Sequence, residues 1–387
     1  MKTPLMRIGD LSEQVRGVSY GKQDASSEPL PGYLPVLRAG NITDDGLVFE
    51  DLVYVPAERI SSKQKVRHHD VVIAASSGSI DVVGKAAPAL ADFDGGFGAF
   101  CKVLRPKSNV HPVYFAHFFK TKDYRRRVSA LAAGVNINNL RNEHLDDMEI
   151  PIPPLAEQER IAEMLNRAEE LRAKRRAALT YLDTLSQALF LDLFGNPATN
   201  TKEWTRKSLK VLGKVTTGGT PPSAKDGMFN GPIPFITPGD LERDEPVKRS
   251  LTNAGAEESA TIRAGAVLVC CIGATIGKMA KARERSAFNQ QINAVEWTGE
   301  VDDCYGLAVL RFFKPTIVAW GASTTLPILK KSAFEKISVP VPPLPLQREF
   351  ARRITAVEKL KTTHLASLTE MDALFASLQH RAFRGEL

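Results

Sequence analysis

"PIPPLAEQERIAEM" (Pro151–Met164) and "PVPPLPLQREFARR" (Pro340–Arg353) are one phrase written twice, 189 residues apart. Each reads Pro-apolar-Pro-Pro-Leu, then a Gln, then a charged amphipathic run. After Pro153 and Pro154 no proline or glycine occurs until Gly195, and the second copy is clear of both from Leu346 up to Gly385. Proline at the start and glycine past the end are helix punctuation. The pattern predicts two long helices, each of ~38 residues and about 57 Å. At the same shift the match runs without a gap to the end of the chain. Leu155, Gln158, Glu169, Leu171, Asp183, Leu185 and Phe194 recur as Leu344, Gln347, Glu358, Leu360, Asp372, Leu374 and Phe383.

Apolar residues recur along both runs at heptad spacing. The first offers Ile161, Met164, Ala168, Leu171, Ala178, Leu182, Leu185 and Leu189; the second offers Phe350, Val357, Leu360, Met371, Leu374 and Leu378 at the same phases. Arg175 and His364 interrupt the seam at one shared position, where a polar residue costs stability but fixes register. A single helix of this kind could simply cap its own domain. Two with matching seams predict that they pack on each other.

The repeat extends upstream more faintly. "PVLRAGNI" (Pro35–Ile42) matches "PFITPGDL" (Pro234–Leu241), and "VVIAASSGSIDVVGK" (Val71–Lys85) matches "VLVCCIGATIGK" (Val267–Lys278). "IGDLSEQVRGVS" (Ile8–Ser19) matches "LKVLGKVTTGGT" (Leu209–Thr220), and Gly98–Lys102 stands as the counterpart of Ala287–Gln291. The chain therefore reads as a tandem duplication, 1–195 and 196–387. Within it we expect globular domains at 1–150 and 196–338 and helical segments at 151–195 and 339–387. Short β-branched runs broken by Gly, Ser and Pro, with a helix over Pro112–Ser129, predict an α+β class.

At 387 residues, 43% hydrophobic and 25% charged, the composition is that of a soluble globular protein of two domains. No apolar stretch approaches the roughly 20 residues of a membrane span, and the N-terminus lacks the apolar core of a signal peptide. Cys101, Cys270, Cys271 and Cys304 form no CxxC pair, so reduced thiols in a cytoplasmic protein are expected. The net charge of +7 lies wholly in residues 196–387, since residues 1–195 carry 25 Lys+Arg against 25 Asp+Glu. That balance mildly favours a polyanionic partner.

Motifs for chemistry are missing. "GSIDVVGK" (Gly78–Lys85) has five residues between its glycines and "GATIGK" (Gly273–Lys278) three, where a phosphate-binding loop needs four, and neither Lys precedes Ser or Thr. His68-His69 has no metal-ligand companion at helical or CxxC spacing. The nucleophile elbow GxSxG is absent. No catalytic residue, metal or cofactor is expected on this chain.

Two variable globular domains, each closed by P-[IV]-P-P-L-x-x-Q and a long helix, resemble the specificity subunit (HsdS) of Type I restriction–modification systems. The resemblance covers essentially the whole chain and is carried by the helix-start motif and its repetition. It implies two target-recognition domains that each read half of a bipartite site on double-stranded DNA, and an antiparallel coiled coil as spacer. The implied partners are two methyltransferase subunits, which carry S-adenosylmethionine and methylate adenine N6, with restriction subunits joining them. A decoy that binds those partners without reading DNA has the same helical faces and is the alternative.

DNA-contacting residues are then expected in the polar loops. In the first domain these are Arg16, Ser19, Tyr20, Lys22, Arg38, Asn41, Ser76, Ser77 and Ser79. In the second they are Thr217, Thr220, Ser223, Lys225, Thr237, Asp240, Asn289, Gln290 and Gln291. Arg and Lys suit guanine or phosphate, Asn and Gln suit adenine. Loops shared by both halves could equally be structural turns.

Overall fold

A computed structural model of the chain describes residues 3–79, 81–133, 139–222, 224–243, 245–322 and 326–387. The two predicted helices are present as Leu155–Phe194 and Leu344–Ala382. The compact units do not follow the sequence repeat. One comprises Met1–Arg176 with Ala366–Leu387, the other Ala177–Leu365. Each unit thus holds one globular domain, the first half of one long helix and the second half of the other.

In the first unit an antiparallel sheet runs in the order Ser12–Arg16, Cys101–Pro106, Val71–Ala74, Ala86–Pro88. A second sheet pairs Tyr33–Leu37 with Val53–Pro56 antiparallel and with Gly96–Phe97 parallel. The second unit repeats both. Gly213–Thr217, Ile292–Trp297, Val267–Cys270 and Met279–Lys281 form the first sheet, and Phe229–Ile236 again runs parallel to Ser286–Phe288 in the other. A short ribbon, Leu5–Arg7 on Glu149–Pro151 or Arg206–Ser208 on Ser338–Pro340, delivers the chain to each long helix. The predicted helix over Pro112–Ser129 is two helices, Pro112–Phe118 and Lys122–Ala133. The break comes at Thr121, whose hydroxyl accepts from the Tyr124 amide and so starts a new helix.

The repeated phrase has a direct physical explanation. Gln158 is 1% exposed and Gln347 0%. The Gln158 Oε1 accepts from the His111 amide at 2.8 Å while its Nε2 donates to the Pro153 carbonyl at 2.8 Å. Gln347 does the same with the Asp302 amide (2.9 Å) and the Pro342 carbonyl (2.7 Å). His111 and Asp302 are the N-caps of the helices that begin at Pro112 and Asp303. One buried amide therefore ties the start of each long helix to the start of a domain helix. Beside it, Tyr114 donates to the Pro151 carbonyl and Tyr305 to the Pro340 carbonyl.

The helix halves pair antiparallel within each unit, through an ion pair that is itself duplicated. Arg172 Nε meets Asp372 Oδ1 at 2.6 Å in the first unit, and Lys361 Nζ meets Asp183 Oδ1 at 2.7 Å in the second. The guanidinium of Arg172 also lies 4.3 Å from the Phe375 ring centre. Each long helix ends on the other domain's tyrosine: Phe383 sits 4.9 Å from Tyr114 and Phe194 4.8 Å from Tyr305, between ring centres.

The seam departs from the predicted one at four positions. Ile161, Leu182, Phe350 and Val357 are buried and Leu189, Met371 and Leu378 partly so. Leu171, Leu185, Leu360 and Leu374, however, are 44–57% exposed. The second buried row lies one residue further on and includes Leu165, Ser186 and Phe375 with the ion-pair residues Arg172 and Lys361. Arg172 and Lys361 occupy that row because their charged ends reach the facing aspartates while their stems cover the seam. Heptad spacing alone could not distinguish the two flanks.

Replacing Gln158 or Gln347 by Ala strands a buried amide and a buried carbonyl and should cost about 1–3 kcal/mol in urea unfolding. Leu182→Asp should cost about 3–5 kcal/mol, as an uncompensated buried charge, whereas Leu374→Asp should change stability by less than about 0.5 kcal/mol. Equal losses for the two leucines would contradict the observed seam.

Candidate nucleic-acid interface

In the first unit the loops that follow the strands converge on one recess of about 840 Å³. Of the expected residues, Ser19, Tyr20, Arg38, Asn41, Ser76 and Ser77 line it; Arg16, Lys22 and Ser79 stand outside it. Arg16 ends its strand exposed, and Lys22 opens a short 3-10 turn. Arg38 is exposed and donates to the Asp51 carbonyl at 2.8 Å. Tyr20 is half-buried against the cluster of Val18, Val36, Val55 and Ile60, and burial raises its pKa, so its hydroxyl is neutral at pH 7. Burial pushes the Cys101 thiol up to about 12, which leaves it an inert wall of the recess. Lys102 is brought down to about 8 by burial and by nearby Arg16, while its Nζ donates to Asn142 Oδ1 at 2.8 Å.

Four of the expected residues take part in turns. Asn41 is 5% exposed; its Oδ1 accepts from the Arg38 amide and its Nδ2 donates to the Glu50 carbonyl. Asp240 holds the equivalent turn, its Oδ2 accepting from the amide and the hydroxyl of Thr237. An acceptor at this position closes the backbone in both units, so Asn41 and Asp240 correspond because the turn needs them, with Arg38 and Thr237 as the residues whose amides they accept from. Ser77 likewise accepts from the Ser79 amide.

In the second unit Thr220 donates to Gln290 Oε1 at 2.6 Å, Asn289 Nδ2 to Gln291 Oε1 at 3.1 Å, and Thr217 to Asn293 Oδ1 at 2.7 Å. Thr217, Thr220, Asn289, Gln290 and Gln291 therefore form one polar cluster. Lys225 pairs with Glu258, and Ser223 lies outside the described residues.

The backbone fixes how the two clusters correspond. The Gly98 amide donates to Leu37 and the Asn289 amide to Ile236; Ala75 donates to the Phe100 carbonyl and Cys271 to the Gln291 carbonyl. Phe97 and Phe288 are both 0% exposed and both pair in parallel with the same strand position. The true counterpart of Ala287–Gln291 is therefore Gly96–Phe100, two residues earlier than the sequence reading placed it. The loop-based alignment instead sets Ala99 against the core aromatic Phe288 and the exposed Phe100 against Asn289. Phe100, 69% exposed on the rim of the recess, was missed as a site residue. Strand register, rather than loop similarity, was the signal that could have found it.

A second recess of the first unit, about 850 Å³, lies between Leu47, Phe49 and Leu90 on one side and Asn166, Glu169 and Arg176 of the long helix on the other. His117, 3% exposed, contacts Asn166 Oδ1 through Nε2 at 2.8 Å, and its Nδ1 has no partner. Burial holds this imidazole below its ordinary pKa, against the opposing effect of Asn166 and Glu169. The folded unit thus binds fewer protons than the unfolded chain as pH falls through the unfolded value of about 6.5. Stability should fall between pH 7 and pH 5, and His117→Gln should flatten that part of the urea-midpoint profile.

Among the described residues no helix is long and apolar enough to cross a membrane, and no group of three or more His, Cys, Asp or Glu could hold a metal ion. The groups gathered at the loop recess are hydroxyls, one side-chain amide, a guanidinium and aromatic rings, with the carboxylates of Glu50 and Asp51 beside them; the donors and rings among them suit recognition of a polar, planar ligand.

The sequence profile of the Type I restriction modification DNA specificity domain matches residues 4–181 and again residues 201–370. Over 159 residues, 41% of this chain, the sequence is 45% identical to the StySPI specificity subunit of Salmonella potsdam and to the EcoKI specificity subunit of Escherichia coli K12. That stretch is only 34% of the length of either relative. The putative MjaX specificity subunit of Methanocaldococcus jannaschii is 22% identical over 91% of this chain and 86% of its own. The fold matches the crystallised S subunit from M. genitalium with a TM-score of 0.63 at 15% identity, covering 99% of this chain and 96% of that one. It also matches, at 0.59 and 18% and covering 100% and 98%, a chain solved in work on the complex assembly and conformational transition of the type I R-M system. With its signature domain present twice, this chain belongs to the Type I restriction–modification DNA specificity family.

Proposed function

We propose that this chain is the DNA-specificity subunit of a Type I restriction–modification complex and works without a cofactor or active site of its own. The first unit reads one half of a bipartite target on double-stranded DNA and the second unit the other. The observation that carries this reading is the duplicated frame. One backbone scaffold presents two different sets of recognition side chains, as two unlike half-sites require. The family membership and the recognition chemistry of the loop recess support it.

The partners are two methyltransferase subunits, which bring S-adenosylmethionine, and restriction subunits that join them in the cytoplasm. The outward leucines support this assignment. Leu171 with Leu374 in the first unit is repeated by Leu360 with Leu185 in the second, all 44–57% exposed; Leu155, Tyr181, Leu191 and Leu365 add exposed apolar surface along the same helices. Two equivalent apolar faces suit two copies of one partner.

Methylation mapping of a host carrying this chain and its methyltransferase should show N6-methyladenine in one split motif, lost on deletion of this chain alone. An unchanged map would refute the reading. Leu171→Asp with Leu374→Asp should weaken methyltransferase binding at least about tenfold, roughly 1.4 kcal/mol, at unchanged thermal stability. Intact assembly of that variant would remove the leucines from the interface.

A further inference from the structure

The two recognition turns share a backbone and differ in chemistry. In both, the first residue donates its amide to the end of a neighbouring strand (Gly98 to Leu37, Asn289 to Ile236), and its carbonyl accepts from the residue three further on (Cys101, Ile292). In both, the third carbonyl accepts from the residue that follows a central strand (Ala75 to Phe100, Cys271 to Gln291). Gly17 and Gly218 let the turn approach the preceding loop, since a Cβ on either would fall within 2.1 Å of a carbonyl oxygen. On this common frame the first unit carries Gly98-Ala99-Phe100 and the second Asn289-Gln290-Gln291.

The side chains around the turns changed along with them. Ser19 and Tyr20 stand where the second unit has Thr220 and Pro221. Thr220 donates to Gln290 Oε1, which turns the amide Nε2 of an exposed side chain outward. In the first unit Ala99 has no amide to orient. Phe100 instead holds an aromatic ring 69% in solvent beside the recess that Tyr20 and Arg38 line. The Phe100 carbonyl accepts from both Ala75 and Ser76, so the ring stands on a fixed turn at a fixed height.

We propose that Phe100 is a specificity-determining residue of the first unit, contacting the 5-methyl group of a thymine in its half-site, while Gln290 at the equivalent turn reads its half-site by hydrogen bonds. This rests on the reading that each unit recognises one half of a split DNA target. The methyl of thymine is the apolar feature on a major-groove edge, and an exposed ring carried on a hydrogen-bonded turn is the group that matches it. Glutamine pairs with adenine N6 and N7. A ring anchored on a short turn reaches a base edge more readily than the space between two stacked bases.

The test uses the complex with its methyltransferase and duplexes carrying the mapped split motif. Phe100→Ala should weaken binding about 5- to 150-fold, the range of one mismatched pair, and relax the requirement at one A·T position of one half-site. Replacing that thymine by deoxyuridine should weaken the wild type similarly and leave Phe100→Ala with no further loss. The other half-site should stay as stringent as before, which also shows that the variant folds and assembles, and Gln290→Ala should show the converse pattern. Unchanged selectivity in Phe100→Ala, or a loss that is equal on thymine and uracil duplexes at every position, would overturn the proposal, the latter in favour of a stacking wedge. A wild-type complex without sequence preference would instead overturn the reading on which it rests.

Discussion

One buried amide in each unit sets the geometry on which the rest depends. Gln158 and Gln347 bridge the N-cap of a domain helix to a carbonyl of the proline turn, just ahead of a long helix. Two constraints meet there. The prolines have no N–H to satisfy and stiffen the approach, and the Gln supplies both the donor and the acceptor that buried backbone groups demand. Neither Glu nor Leu could replace it, since the first lacks the donor and the second lacks both. The direction in which each helix leaves its domain is thereby fixed by hydrogen bonds as well as by apolar contact.

From that start the helices can be followed by chemistry that recurs at the same shift. Arg172 with Asp372 and Lys361 with Asp183 are one interaction written twice, each joining the first half of one long helix to the second half of the other within a unit. Both pairs are partly exposed, so each contributes modestly to stability, and their value lies in register. The apolar load falls on Ile161, Leu165, Phe350 and Val357 near the helix starts, and on Phe190, Phe194, Phe375 and Ala382 near the ends. Because the end of each helix packs on the other domain's tyrosine, the chain closes each unit with residues far apart in sequence.

The long helices, the duplication and the α+β class were legible in the sequence because proline–glycine punctuation and a 189-residue shift survive without any knowledge of packing. Leu171 and Leu185 show where that legibility stops. A heptad row states that one face is apolar, but which of two adjacent rows turns inward depends on the partner helix, and here Arg172 and Lys361 take the inner row. Asn41 and Asp240 show a second limit. Short polar side chains in Gly-rich loops serve turns and ligands alike, and only their hydrogen bonds reveal that these two are committed to the backbone.

The same comparison separates what the frame needs from what it leaves open. Residues alike in both units, such as Gln158 and Gln347, Tyr114 and Tyr305, or Phe97 and Phe288, are buried and bonded to structure. Where the backbone hydrogen bonds persist and the side chains diverge, packing has no preference, and selection has been free to act on what the side chains touch outside the chain. Ala99 and Phe100 against Gln290 are such places, whereas Asn289 accepts from the Gln291 amide and so holds its own turn. An exposed phenylalanine gains nothing for folding there, and neither does an amide oriented outward by a neighbouring threonine. A duplicated scaffold thus acts as its own control: residues that agree build the reader, and residues that differ are the ones available to read.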